Sequence, residues 1–270
     1  MKINISTCPN DTFMFDALLN GRIETMGYEF DLHMADIAEL NDLAAAGEAD
    51  ITKLSYAAYP AIEHQYQILR AGSAIGYGNG PLLVSKRKIY PDEVKDLTIA
   101  VAGLSTTSNM LLTIAYGDIK ERKEYLFSDI SQAVASGEVD AGVLIHEERF
   151  LYAEKGLKLV ADLGEMWEKK SSLMIPLGAI VIKRDLEGGV KKDIDMLVRN
   201  SIRYAADNPG DSWDFVRKHA RELNEDVIHN HIRMFVNKYS YDLGEYGMAS
   251  VEGFFKAAGV TLTEPIFIQQ

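Results

Sequence analysis

One cysteine, Cys8, occurs in the 270 residues, so no internal disulfide can form and the chain suits a reducing compartment. No run of 18 apolar residues is present, and Met1 to Asn10 lack the apolar core of a secretory signal. The sequence therefore offers neither a membrane span nor an export segment, and a cytoplasmic protein is expected. Positive charge is scarce, with 28 Lys and Arg against 40 Asp and Glu and a formal net charge of −12. Such a field repels nucleic-acid phosphates and anionic membrane surfaces, but it admits an anionic small molecule wherever donors are focused locally. Low-complexity tracts and long Gly/Ser linkers are also missing, so boundaries between folding units must be crossings of the chain, not tethers.

Several chemical signatures are absent. Neither a Gly-x-Ser-x-Gly nucleophile elbow nor a Rossmann glycine fingerprint occurs, which removes support for covalent serine catalysis and dinucleotide chemistry. The histidines refuse a metal. His146-Glu147 opens like a zincin motif, yet Phe150 stands where the second ligand belongs. His229 and His231, two apart on an expected helix, face nearly opposite sides. With no Cys/His cluster, no structural zinc is supported, and no metal or organic cofactor is implied. His33, His64 and His219 read as surface or half-buried side chains.

With 47% hydrophobic and 25% charged residues, the chain can bury one large or two medium cores. A segment occurs twice. Leu43-Ala-Ala-Ala-Gly47-Glu48-Ala-Asp50 leads into Ile-Thr-Lys53-Leu54-Ser55-Tyr56, and Ala133-Val-Ala-Ser-Gly137-Glu138-Val-Asp140 leads into Ala-Gly-Val-Leu144-Ile-His146, with Gly, Glu, Asp and Leu in step. Each copy is an apolar helix end, a glycine suited to a left-handed cap, an acidic turn and a short β-run. Two related α/β units facing each other are expected, with Tyr56 and His146 at the carboxyl ends of the matched strands, the edge where open α/β sheets bind ligands.

Strand and helix signals alternate to about residue 185. Strands are expected at 2–6, 27–33, 50–54, 67–74, 81–85, 97–102, 124–127, 140–145 and 175–183, and helices at 13–19, 106–116 and 129–136. From Glu187 onward the pattern is helical, at 194–206, 213–220, 226–236 and 247–258. Polar Lys86 to Asp96 and Lys183 to Gly189 are the expected crossings. They divide the chain into a larger discontinuous α/β lobe, 1–90 with 185–270, and a smaller α/β lobe, 91–184, and two crossings make a natural hinge.

The candidate chemistry sits at strand ends. Gly103-Leu-Ser105-Thr106-Thr107-Ser108 joins a β-run to an apolar helix, a geometry that offers backbone N–H groups and hydroxyls to a carboxylate or phosphate. A plain N-cap would need only one of those hydroxyls. Asn10-Asp11-Thr12 holds the analogous position in the first unit. Lys53, inside an apolar run, is either a cleft-facing ammonium or a snorkelling side chain, and Cys8 is either a reactive thiol or a small buried residue. Gly76-Tyr-Gly78-Asn79-Gly80-Pro81 lacks the Lys-Ser/Thr of a P-loop and reads as a sharp turn or a close backbone approach to a ligand. His146 titrates in the range useful for moving protons near neutrality. A lone histidine is often structural, and its position at the ligand edge is what favours a catalytic role.

The segments Cys8-Pro-Asn-Asp-Thr-Phe13, Thr52-Lys-Leu-Ser-Tyr-Ala-Ala-Tyr59, Gly80-Pro-Leu, Thr106-Thr107, Gly137 to Glu147 and Pro176-Leu-Gly-Ala179 resemble the 1,4-dihydroxy-6-naphthoate synthase family of menaquinone synthesis, in order and over nearly the whole chain. The resemblance implies a two-lobed fold like the type II periplasmic binding proteins, with a ligand cleft between the lobes. It implies cleavage of cyclic dehypoxanthinyl futalosine to 1,4-dihydroxy-6-naphthoate with loss of a three-carbon sugar fragment. His146 then becomes the proton acceptor, and Lys53, Leu54, Ser55, Thr106 and Thr107 contact the substrate, a small-molecule carboxylate, with Asn10 and Asp11 beside them. Gly103-Leu104-Ser105 departs from the family pattern and leaves local contacts open. Chorismate dehydratase, of the same pathway and fold, and a non-catalytic carboxylate receptor are the alternatives. The sequence fixes no oligomeric state.

Overall fold

The computed structural model describes residues 1–146, 148–221 and 224–269. Its first unit runs β1 (Lys2–Ser6), α1 (Pro9–Leu19), β2 (Asp31–Ala35), α2 (Ile37–Ala45), β3 (Ile51–Ser55), and then β4 (Tyr66–Ile68) and β5 (Ala74–Gly76). The chain continues through β6 (Leu82–Ser85) into a second unit of β7 (Thr98–Val101), α3 (Thr107–Tyr116), β8 (Glu121–Glu124), α4 (Ile130–Ser136) and β9 (Ala141–Leu144). Next come α5 (Glu148–Leu151), β10 (Lys158–Asp162), α6 (Leu163–Ser171) and β11 (Ile175–Lys183). Five helices close the described chain: α7 (Gly188–Asp207), α8 (Trp213–His219), α9 (Glu225–Phe235), α10 (Lys238–Tyr241) and α11 (Gly244–Ala257).

The repeat read in the sequence is a repeat in space. In each unit the first strand lies parallel between the other two, as β2-β1-β3 in one sheet and β8-β7-β9 in the other. Gly47 and Gly137 both take left-handed backbone, φ 70° and 84°, and the N–H groups of Glu48 and Glu138 turn back onto the carbonyls of Leu43 and Ala133. The two aspartates explain the rest of the motif. Asp50 Oδ2 accepts the N–H of Lys2 at 2.8 Å, and Asp140 Oδ2 accepts the N–H of Thr98 at 2.9 Å. Each carboxylate thereby pins the entry of its third strand to that of its first.

An antiparallel strand from elsewhere in the chain extends each sheet: β11 pairs with β3, and β6 with β9. The chain therefore passes between sheets at 77–81, before β6, and returns at 172–174, before β11. Crossings were expected at 86–96 and 183–189, which put β6 with the first lobe and β11 with the second. Both strands are almost wholly buried apolar runs, and such runs carry no local mark of the sheet they will join.

Other differences also have local causes. The strand expected at 67–74 is split into β4 and β5 by Gly72, whose φ is 83° and where an added Cβ would lie 2.4 Å from Ile180 Cγ1. The strand expected at 124–127 falls instead on the charged edge residues Glu121–Glu124, because Phe127 turns into the core. The strand expected at 27–33 begins only at Asp31, while β10 and α6 had no clear sequence signal. Ile194, Leu197, Val198 and Ile202 of α7 pack on Met14, Phe15 and Leu18 of α1. Another apolar cluster reaches from Tyr56 and Tyr59 of the first unit to Val101 and Leu112 of the second. Among the described residues no helix is long and apolar enough to cross a membrane.

Candidate active site

The carboxyl ends of β1, β3 and β9 and the first turns of α1 and α3 open onto one pocket of about 660 Å³, counted to its open mouth. Seven residues singled out in the sequence line it: Asn10, Asp11, Lys53, Ser55, Thr106, Thr107 and His146. Leu54 does not, because alternation along β3 turns it into the core, fully buried. Tyr56, expected at the ligand edge, also points inward. It is fully buried with its hydroxyl 2.7 Å from Ser73 Oγ, and burial pushes its pKa up.

The first-unit wall is a polar network. Asp11 is fully buried and receives Lys53 Nζ at 2.6 Å, Ser6 Oγ at 2.6 Å and Asn10 Nδ2 at 2.8 Å. Of the two expectations for Lys53 the cleft-facing ammonium is the one seen, as half of a buried ion pair at the pocket wall. Asn10 Oδ1 lies 2.9 Å from His231 Nε2. With the Asn10 amide nitrogen committed to Asp11, Oδ1 is the acceptor and His231 Nε2 carries the proton.

His146 stands opposite, directly after β9, with a left-handed φ of 53°. Such backbone is uncommon outside glycine but recurs for histidine, asparagine and aspartate. Its ring meets Phe127 edge-on at 4.9 Å and stacks on His231 at 5.9 Å. Cys8 Sγ lies 3.6 Å from Nδ1, so the cysteine is a buried residue in contact with the histidine. His146 keeps some exposed area toward the pocket, but protein encloses the ring. Burial lowers its pKa to about 4, with Asp11 opposing and Lys53 reinforcing the shift. His146 is therefore neutral at pH 7, with its pKa below the near-neutral range expected from the sequence and its proton affinity lowered by the same burial. His231, wholly buried, is held well below the usual histidine range, first by burial and then by His146 and Lys53.

On the α3 side the hydroxyls divide their tasks. Thr106 is the N-cap, accepting the Asn109 N–H at 3.4 Å and donating to the Gly103 carbonyl at 2.6 Å. Thr107 reaches the first sheet, donating to the Leu177 carbonyl at 2.9 Å and accepting the Ala57 N–H at 3.3 Å. Ser55 is set by Asn41, whose Oδ1 accepts the Ser55 N–H at 2.9 Å and whose Nδ2 lies 3.3 Å from both Ser55 Oγ and Ser105 Oγ.

Sequence reasoning missed Asn41, His231 and Arg149. His231 had a signal: with Ile228 and Phe235 it forms the buried face of α9, at spacings of three and four. Arg149 follows Glu147, which lies outside the described residues. Its side chain is 9% exposed, with Nη1 2.8 Å from the Gly78 carbonyl and Nη2 3.9 Å from Asp162. The positive ends of α1 and α3 and the Arg149 guanidinium make the pocket favourable to an anion despite the acidic surface. In the glycine loop, Gly80 is required by a backbone contact: an added Cβ would lie 2.3 Å from Gly164 Cα.

A family model described as menaquinone biosynthesis matches residues 1–259. The chain is 41% identical over 258 residues to a 1,4-dihydroxy-6-naphthoate synthase of Thermus thermophilus, covering 96% of this chain and 93% of the relative. It is 38% identical over 263 residues to the enzyme of the same name from Streptomyces coelicolor, covering 96% and 92%. Among solved structures it resembles protein AF1704 of Archaeoglobus fulgidus, with a TM-score of 0.90, 36% identity and 96% of each chain covered. A Candida albicans protein described as having the generic periplasmic binding protein fold, CA3427, superposes with a TM-score of 0.68 at 14% identity, over 98% of this chain and 91% of the other. At that identity the likeness concerns the fold alone.

Proposed function

This chain belongs to the menaquinone biosynthesis family, and within it we propose that the protein is a 1,4-dihydroxy-6-naphthoate synthase, a carbon–carbon lyase acting on cyclic dehypoxanthinyl futalosine. The observation that carries the reading is a neutral imidazole, His146, facing a pocket built from two helix N-termini and a guanidinium. The two curated relatives of that name support it. His146 takes one proton from the bound substrate. The electrons released break a carbon–carbon bond, a three-carbon sugar fragment leaves, and aromatisation of the naphthalene product drives the step. The Ser55 hydroxyl and the backbone N–H groups of the first turn of α3 hold the carboxylate, Thr107 fixes that turn against the first sheet through the Leu177 carbonyl, and Arg149 meets developing negative charge. Lys53 acts through Asp11, keeping the opposite wall polar and fixed. The cytoplasm is the proposed place of work, supported by the single cysteine and the biosynthetic family.

Purified protein incubated with cyclic dehypoxanthinyl futalosine is expected to generate fluorescent dihydroxynaphthoate, and with chorismate no product. Turnover of chorismate instead, or binding of either compound without turnover, would overturn the assignment in favour of a dehydratase or a receptor.

A further inference from the structure

Asn79 lines the pocket, is 2% exposed, and has both polar atoms of its amide, Oδ1 and Nδ2, buried without a hydrogen-bond partner among the described residues. Buried polar groups left so are rare in folded proteins, since each has given up water and regained nothing. The loop that carries it is not slack. The Gly78 N–H donates to Glu168 Oε1 at 2.6 Å, and the Gly78 carbonyl accepts from Arg149 Nη1 at 2.8 Å. The Pro81 carbonyl accepts from the Leu163 N–H at 3.0 Å, and the Gly80 backbone lies against Gly164. Contacts from α5 and α6 thus clamp both flanks of the residue and hold its unsatisfied amide at the pocket.

The unmet demand specifies the ligand group. Nδ2 needs an acceptor and Oδ1 needs a donor. A carboxylate satisfies only the first, whereas a hydroxyl or a pair of adjacent hydroxyls satisfies both. Exchanging the amide oxygen and nitrogen leaves this unchanged, because both atoms are unmet. We infer that Asn79 is a specificity-determining residue that hydrogen-bonds the hydroxyl-bearing, sugar-derived part of the substrate and so orients its carboxylate toward α3. The inference rests on the reaction proposed above. Asn79 also lies on the 77–81 crossing between the sheets, so the part of the substrate that leaves is the part held at the crossing.

The test compares Asn79→Leu with the wild type in three measurements. Ligand-free thermal melting is expected to be unchanged or raised, because no protein hydrogen bond is lost. A fall of several degrees in both Asn79→Leu and Asn79→Ser would make Asn79 structural and overturn the inference, whereas a fall confined to the leucine variant is overpacking. The kcat/KM for cyclic dehypoxanthinyl futalosine is expected to fall about 10- to 100-fold, the loss of one or two hydrogen bonds. Affinity for 1,4-dihydroxy-6-naphthoate, which lacks the sugar fragment, should stay within about threefold by fluorescence titration, on the same hydrogen-bond scale. A product affinity that falls in parallel with kcat/KM, or an unchanged kcat/KM, would refute the inference while leaving the reaction intact. A wild-type protein without turnover would sink both. Asn79→Ser, which is smaller and offers one hydroxyl in place of the amide, should lose less kcat/KM than Asn79→Leu, and it replaces that variant if leucine overpacks the site.

Discussion

Acidification combined with His146→Asn tests the proposed base most directly. Burial holds the imidazole at a pKa of about 4, well below that of an unburied histidine. The acid limb of kcat/KM, which reports the ligand-free enzyme, is therefore expected near pH 4 and not near 6.5. The same shift acts on stability. Because the folded state has the lower pKa, the unfolded chain takes up the proton first. Stability is full above about pH 6.5 and falls as pH drops toward 4, by up to about 3 kcal/mol for this group. His231, depressed in the same direction, adds to the loss. Circular dichroism at each pH separates unfolding from protonation of the base. Asparagine suits the replacement because it tolerates the left-handed φ of 53° at this position. With the acceptor gone, kcat should fall by about two to four decades, with KM little changed, as followed by product fluorescence. The variant should also lose the limb near pH 4 and unfold less readily in acid. A wild-type limb near 6.5, or a variant with near-normal kcat and the same limb, would refute the reasoning and place the base elsewhere.

Lys53→Met leaves Asp11 charged and fully buried without its cation, so it should destabilise by about 3–5 kcal/mol, and Lys53→Met with Asp11→Asn should recover much of that in denaturant titrations. A single variant of normal stability that fails to bind substrate would instead make Lys53 a direct ligand. Thr106→Val removes an N-cap and should lower the melting temperature by about 2–4 °C, whereas Thr107→Val unties the first turn of α3 from Leu177 and Ala57 and, by letting that turn shift at the pocket, should raise KM by about a decade. Equal effects of the two on KM would contradict the division of roles seen at α3. Because the chain crosses between the sheets twice, product binding should close the pocket and shrink the particle in small-angle scattering; identical curves with and without product would count against a hinge.

Much of this protein was legible locally. Gly47 and Gly137, Asp50 and Asp140 announced two equivalent units, because a helix end, a left-handed glycine and a strand entry are written within a dozen residues of chain. The same reading put His146 at the end of β9, and the pocket is there. What the sequence left open was decided by partners distant in the chain. Lys53 meets Asp11 across 42 residues, His231 meets Asn10 across 221, and β11 pairs with β3 although the two are more than a hundred residues apart. Hydrophobic periodicity states that a strand is buried and not in which sheet, which is why β6 and β11 exchanged places and Tyr56 turned inward. The low pKa of His146 and the unsatisfied amide of Asn79 belong to the tertiary structure alone, since both arise from water excluded by atoms the local sequence does not contain.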